Sequence, residues 1–141
     1  MTVTISQAAF RAIVDHSQSQ FPLEACGLLA GTNTTGQKTV TQAIALPNLA
    51  QSRYRFEIAP QDQLKAVLAM RKLGLTPLGN YHSHPETPAR PSVEDLALFV
   101  DPSASYIIVS LAERLPVVKC FNVGQGENPF SEDELVVNKE I

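Results

Sequence analysis

The stretch from Gly79 to Asp95 reads Gly-Asn-Tyr-His-Ser-His-Pro-Glu-Thr-Pro-Ala-Arg-Pro-Ser-Val-Glu-Asp and holds the side chains best suited to chemistry. His82 and His84 stand one residue apart. If Leu78 to His84 is a strand, alternate side chains share a face, so the two imidazoles point the same way about 6.6 Å apart along the backbone. Pro85 has no N–H for a ladder and ends the strand. Ser92 opens a helical pattern in which Val93, Leu96, Ala97 and Val100 recur at helical spacing, which puts Asp95 in the first turn where the chain re-enters. Two histidines and one carboxylate leave a tetrahedral zinc one open position for water, the arrangement of a catalytic rather than a structural site.

Each piece also has a plainer reading. Paired histidines on a strand are commonly exposed or hydrogen-bonded without a metal, and Ser92-Val93-Glu94-Asp95 fits a capping box. What decides for a metal is that all of these residues coincide in one short stretch, in a chain with only one other histidine, His16. Water activated by a metal needs a base. Glu24, just ahead of the apolar run Ala25-Cys26-Gly27-Leu28-Leu29, is a candidate, and Glu57, Glu86 and Glu94 compete with it from more polar contexts.

These side chains must be positioned by one domain, 1–141, large enough to bury a core without disulfide or metal staples. A hydrophobic share of 44% against 18% charged residues suits a soluble globular chain, and ten prolines with seven glycines imply many tight connections. Net charge −3, no basic run and no Trp argue against a nucleic-acid surface. The first residues lack a positive n-region and an apolar h-region, and no apolar run nears membrane-spanning length, so the expected compartment is the cytoplasm with no membrane contact. Cys26 and Cys120, in apolar surroundings, read as buried free thiols.

In chain order, Ser6 reads as the N-cap of a helix with a Phe10, Ile13 and Val14 stripe and with His16 on its polar, surface side. Glu24 to Gly31 leads as a buried strand through Asn33-Thr34-Thr35-Gly36 into a second strand near Lys38 to Ala45. Pro47 and Asn48 break it, and Tyr54, Phe56 and Ile58 alternate with charged residues as a half-buried strand. Pro60 opens a helix to about Leu73 with Leu64, Val67, Leu68 and Arg71 on one face and Gly74 just beyond. After the histidine strand and the Ser92 helix come strands near Tyr106 to Leu111 and Val117 to Val123, and Phe130 to Val137 reads as a strand or a helix. The alternation predicts an α/β fold, a single mixed β-sheet flanked by helices.

Glu24 before Cys26-Gly27-Leu28-Leu29, then His82-Ser83-His84-Pro85, six residues, Ser92, two residues and Asp95, resembles the JAMM motif of the JAB1/MPN zinc metalloproteases. The resemblance spans nearly the whole chain. It implies a JAB1/MPN domain with cytidine deaminase-like architecture, zinc (Zn2+) held by His82, His84 and Asp95, Glu24 as base and proton shuttle, and Ser92 at the oxyanion of the tetrahedral intermediate. The cap and the oxyanion compete for the Ser92 oxygen, and the resemblance favours catalysis. Short stand-alone chains of this kind resemble the bacterial type associated with ubiquitin-like sulfur carriers. That implies a metallopeptidase cutting a peptide or isopeptide bond at the C-terminal Gly-Gly tail of such a carrier or its conjugate.

An extended tail could lie along a sheet edge as an added strand, with Glu86 to Pro91 expected to line its groove. Two other readings differ in kind: a catalytically silent, metal-containing interaction module of the same fold, and a zinc deaminase. The deaminase is disfavoured because Cys26 and Cys120 are far apart, with no Pro-Cys-x-x-Cys run.

Overall fold

A computed structural model describes residues 1–140. The elements run β1 (Thr2–Ser6), α1 (Gln7–Gln20), β2 (Cys26–Thr34), β3 (Gln37–Leu46), α2 (Pro60–Lys72), β4 (Thr76–His84), α3 (Val93–Leu98), β5 (Ser105–Ser110), β6 (Val117–Val123) and β7 (Phe130–Asn138). The strands pair in the order β1-β3-β2-β4-β5-β6-β7, and β7 returns parallel to β1, so the mixed sheet closes into a barrel. The alternation of strands and helices therefore gives the expected α/β class. Closure comes from β1, a short strand hidden in the opening Thr-Val-Thr-Ile-Ser, whose Val3 and Ile5 are buried and which pairs in parallel on both sides.

Side-chain alternation on β5 sets the layers. Ile107 and Val109 point into the main core with Val3, Ile5, Leu29, Val40 and the α1 residues Ala9 and Ile13. Tyr106 and Ile108 point to the opposite face, where Phe99 and Phe121 cover them. On that same flank, Leu28 and Ala30 of β2 meet Ala66 and Met70 of α2. Gly79 bulges at φ +150, a conformation glycine tolerates, and a Cβ there would collide with the Ser105 carbonyl. The β2–β4 register shifts beside it, between Leu29 and Ala30.

Four local expectations need correction. Tyr54 to Ile58 opens on a bend and pairs with no strand among the described residues; Phe56 is buried while Tyr54 is 69% exposed, because side chains and turns rather than a ladder hold the segment. In α2 the buried face is Ala66 and Met70, and Leu64 and Leu68 face outward, since the small Ala66 lets the helix approach β2 closely. Val93 opens α3 on its outer side and is 83% exposed, and because α3 ends at Leu98, Val100 lies beyond it and is 79% exposed, while Leu96 and Phe99 turn inward. His16 is half-buried, with Nδ1 hydrogen-bonded to the Tyr81 hydroxyl at 2.8 Å.

The remaining elements fall close to the expected places. Ser6 caps α1 by accepting the Ala9 amide at 3.1 Å, and Phe130–Asn138 is a strand. No helix among the described residues is long and apolar enough to cross a membrane.

Candidate metal centre

β4 lies between β2 and β5, so its last residues are buried by neighbours on both sides. His82 is opposite Cys26 on β2 and opposite Ile108 on β5. Period-two alternation sends His82 and His84 to the same face and Ser83 to the other. Ser83 is not idle there. Its Oγ accepts the Ala25 amide at 2.8 Å and its own N–H donates to the Ala25 carbonyl at 3.0 Å, which fixes the residue next to Glu24.

The third side chain arrives from α3. The Ser92 Oγ accepts the Asp95 amide at 3.1 Å, and the Asp95 Oδ2 accepts the Ser92 amide at 2.9 Å, a complete capping box. The cap accepts through a lone pair of Oγ, so the Ser92 O–H stays free to donate, and the rivalry expected for this oxygen dissolves.

His82, His84 and Asp95 converge. The two Nε2 atoms are 3.1 Å apart, and Asp95 Oδ2 lies 3.0 Å from one and 2.9 Å from the other. All three residues are at most 3% exposed. The Nδ1 of His84 is 2.8 Å from the Pro88 carbonyl, which can only accept, so the proton sits on Nδ1 and a neutral His84 turns a bare Nε2 inward. Two nitrogen atoms and a carboxylate oxygen, sharing at most one proton when both rings are neutral, crowd one point that a cation would satisfy. Ligand atoms about 2.0–2.1 Å from a tetrahedral ion stand about 3.3 Å from one another, close to the separations observed. The three residues thus fit a metal ion, and among the described residues no other cluster of His, Cys, Asp and Glu does.

Electrostatics divides the acids. Glu24 is 3% exposed, and its Oε1 has no hydrogen-bond partner among the described residues. Burial pushes its pKa up to about 8; Asp95 and Glu94 add to the rise and His84 opposes it. Asp95 is buried too, yet the hydrogen bonds to His82 and His84 overcome burial and hold it below the ordinary carboxylate range. A buried acid poised near neutrality beside a cation site is suited to moving protons, while one held ionised is suited to ligation.

Of the four glutamates considered, only Glu24 is buried, and the charges of His84 and Asp95 act on it. The Glu57 side chain is 57% exposed, Glu86 pairs with Arg53 at 3.3 Å on the surface, and Glu94 is exposed. Cys26 and Cys120 are buried free thiols whose pKa burial pushes up to about 12, which makes poor nucleophiles of both.

Two residues escaped the sequence reading. Phe56 stacks on the His82 ring at 4.5 Å with 24° between planes, on the histidine whose Nδ1 has no partner among the described residues. Asn48 holds the segment that carries Phe56. Neither lies in a motif; the only hint is an aromatic among charged neighbours after a Pro-Asn break. Phe56 also walls a groove of about 450 Å³ that continues past Ile58, Pro77, Leu98 and Val100. The expected lining, Glu86 to Pro91, is not part of it: Pro88, Ala89 and Arg90 border another cavity, with Ser110 and Glu113.

Residues 6–122 match the family model of prokaryotic homologs of the JAB domain. The CysO-cysteine peptidase of Mycobacterium tuberculosis is 36% identical over 99 residues, covering 70% of this chain and 66% of that protein, so the matched part spans just under two-thirds of that relative. A desampylase of Haloferax volcanii is 36% identical over 95 residues, 67% of each chain. The solution structure of a Desulfitobacterium hafniense protein superposes with a TM-score of 0.89 at 42% identity, over 99% of this chain and 94% of the other. With the motif, the barrel and the convergent triad in one chain, the protein belongs to the JAB domain family in its prokaryotic branch.

Proposed function

We propose that this chain is a zinc metallopeptidase that hydrolyses the peptide or isopeptide bond following the C-terminal Gly-Gly of a ubiquitin-like sulfur carrier. The observation that carries the reading is the convergence of His82 Nε2, His84 Nε2 and Asp95 Oδ2 within 3.1 Å of one another near a buried Glu24. Names of the relatives give the substrate class: a CysO-cysteine peptidase, a desampylase and a probable TtuB-protein conjugate cleaving protease. His82, His84 and Asp95 would hold the zinc, which supplies a Lewis acid and an activated water.

The protein's own part follows from the geometry. Glu24 takes a proton from the attacking water and returns it to the leaving amine, a role that suits a buried carboxylate whose Oε1 has no hydrogen-bond partner among the described residues. The Ser92 O–H, free of the cap, donates to the carbonyl oxygen as charge gathers there. The groove beside Phe56 is half apolar and open to solvent, a fit for an extended, small-residue tail. Two free buried cysteines support the cytoplasm as the site of action.

Zinc content per chain, measured on protein purified without added metal, tests the centre. About one zinc in the unaltered chain and none in Asp95→Ala is expected. A folded chain without metal in either form would remove the catalytic reading and leave an interaction module. Cleavage of carrier proteins extended beyond Gly-Gly then tests the substrate.

A further inference from the structure

Every hydrogen-bonding position of the Asn48 side chain is occupied. Its Nδ2 donates to the carbonyls of Glu24 and Arg55, each at 3.1 Å. Its Oδ1 accepts the amides of Ala50 and Glu57, each at 3.0 Å. Two partners are carbonyls and two are N–H groups, so only this orientation of the amide fits. One side chain therefore joins Glu24, the turn at Ala50 and both neighbours of Phe56. The main chain adds a bond from Leu49 N–H to the Glu57 carbonyl at 2.9 Å and one from Glu24 N–H to the Ser52 carbonyl at 2.8 Å. Glu24 is thereby tied to this loop at both its N–H and its C=O.

We propose that Asn48 is a positioning residue of the active site, locking Glu24 and the Phe56 wall of the groove into one body. The proposal rests on the reading of Glu24 as the base. The Glu24 Oε1 has no hydrogen-bond partner among the described residues, so the hydrogen bonds that place this residue are those of its backbone. The loop has no strand ladder, so without Asn48 its order would rest on a few main-chain bonds. The carbonyl of Glu24 and that of Arg55, the residue before Phe56, take the two protons of one Nδ2, so the backbone of the base and the backbone of the ring stacked on His82 share one anchor. A reacting group displaced by about 1 Å loses on the order of 10²-fold in rate.

Asn48→Ala and Asn48→Asp, compared with the unaltered zinc-loaded chain, test this by amide hydrogen exchange, zinc content and steady-state cleavage. The aspartate keeps the acceptor for Ala50 and Glu57, loses both donors and sets an oxygen against the Glu24 and Arg55 carbonyls, so it breaks the side-chain tether to Glu24 while leaving the Glu24 N–H bond to Ser52, and it remains informative where the alanine variant fails to fold. Exchange should rise about tenfold or more in residues 23–26 in both variants, and in 49–58 most in Asn48→Ala, with β6 and β7 unchanged. Zinc should stay near one per chain, and kcat should fall about 10²-fold with KM within about threefold. Unchanged exchange at 23–26 in both variants would overturn the proposal, as would a loss of kcat only in proportion to lost zinc. If the unaltered chain cleaves no carrier tail, the proposed function fails while the exchange measurement still decides the tether.

Discussion

The two histidines of the centre are held in different ways. His84 is fixed by hydrogen bonds: its Nδ1 donates to the Pro88 carbonyl, and the loop that carries Pro88 runs on into the Ser92–Asp95 capping box. His82 is fixed by packing: its Nδ1 has no partner among the described residues, and Phe56 stacks on its ring. Metal-ligating histidines ordinarily give their second N–H to an acceptor, which sets tautomer and ring angle. On one flank of this centre a carbonyl does that; on the other an aromatic face sets the angle and leaves the tautomer unassigned. The hydrogen-bonded flank is short-range in sequence, and the packed flank depends on a loop far from β4.

The largest expected effect bears on what both flanks serve. Glu24→Gln keeps the shape of the side chain and touches none of the three proposed ligands, so zinc content should remain at about one per chain. The rate of tail cleavage should fall by about 10²–10⁴-fold, because a general base is lost. Metal analysis and single-turnover cleavage on the same preparation check it, and an unchanged rate would move the base away from Glu24.

The next effect breaks the comparison between flanks. Phe56→Ala removes the ring from His82, and Pro88, which acts through its main-chain carbonyl, serves as the control: Pro88→Ala keeps that acceptor. Loss of an outer partner of a ligand costs about 10–100-fold in metal affinity. Phe56→Ala should weaken zinc by about tenfold in chelator competition, and Pro88→Ala by much less. Equal losses would mean that the stacked ring does not orient His82.

The same asymmetry explains what could be read from the chain. His82, Ser83 and His84 obey strand alternation, and Ser92 and Asp95 obey the helix cap, so each is decided by neighbours within a few residues and the sequence exposes them. Glu24 stood out only through its match to the motif, because a glutamate ahead of an apolar strand is by itself an ordinary solvated loop residue. Phe56 and Asn48 were not legible, because their contacts are with His82 and Glu24, distant in the chain, and the alternation around Phe56 reads as a strand that does not form. The α2 face was misread for a related reason. Leu64 and Leu68 look like the buried stripe, yet packing on β2 selects the small Ala66 with Met70. The barrel closed through β1 for a tertiary reason, since Thr2–Ser6 finds partners only once β3 and β7 are in place.

The smallest effect sharpens the difference between the two acids of the centre, and it is read in metal-free protein. Glu24 has its pKa raised from 4.5 to about 8, chiefly by burial, so between those values the folded chain holds a proton that the unfolded chain has released. Stability from this group therefore falls as pH rises from about 5 to 8, by at most about 4–5 kcal/mol, since a tenfold change in proton affinity is worth about 1.4 kcal/mol. Glutamine at this position has no proton to lose. Metal-free Glu24→Gln should match the unaltered chain near pH 5 and exceed its Tm by several degrees at pH 8. Asp95 has the opposite sign: its carboxylate is favoured in the fold, so its contribution is present above its ordinary 3.8 and is lost as pH falls below that value. Asp95→Asn should lower stability across the neutral range and converge on the unaltered chain only in acid. Urea unfolding at pH 5, 6, 7 and 8 separates the two. Parallel curves for Glu24→Gln and the unaltered chain would mean that water reaches the Glu24 carboxylate freely, and the base would then be an ordinary ionised glutamate at neutral pH.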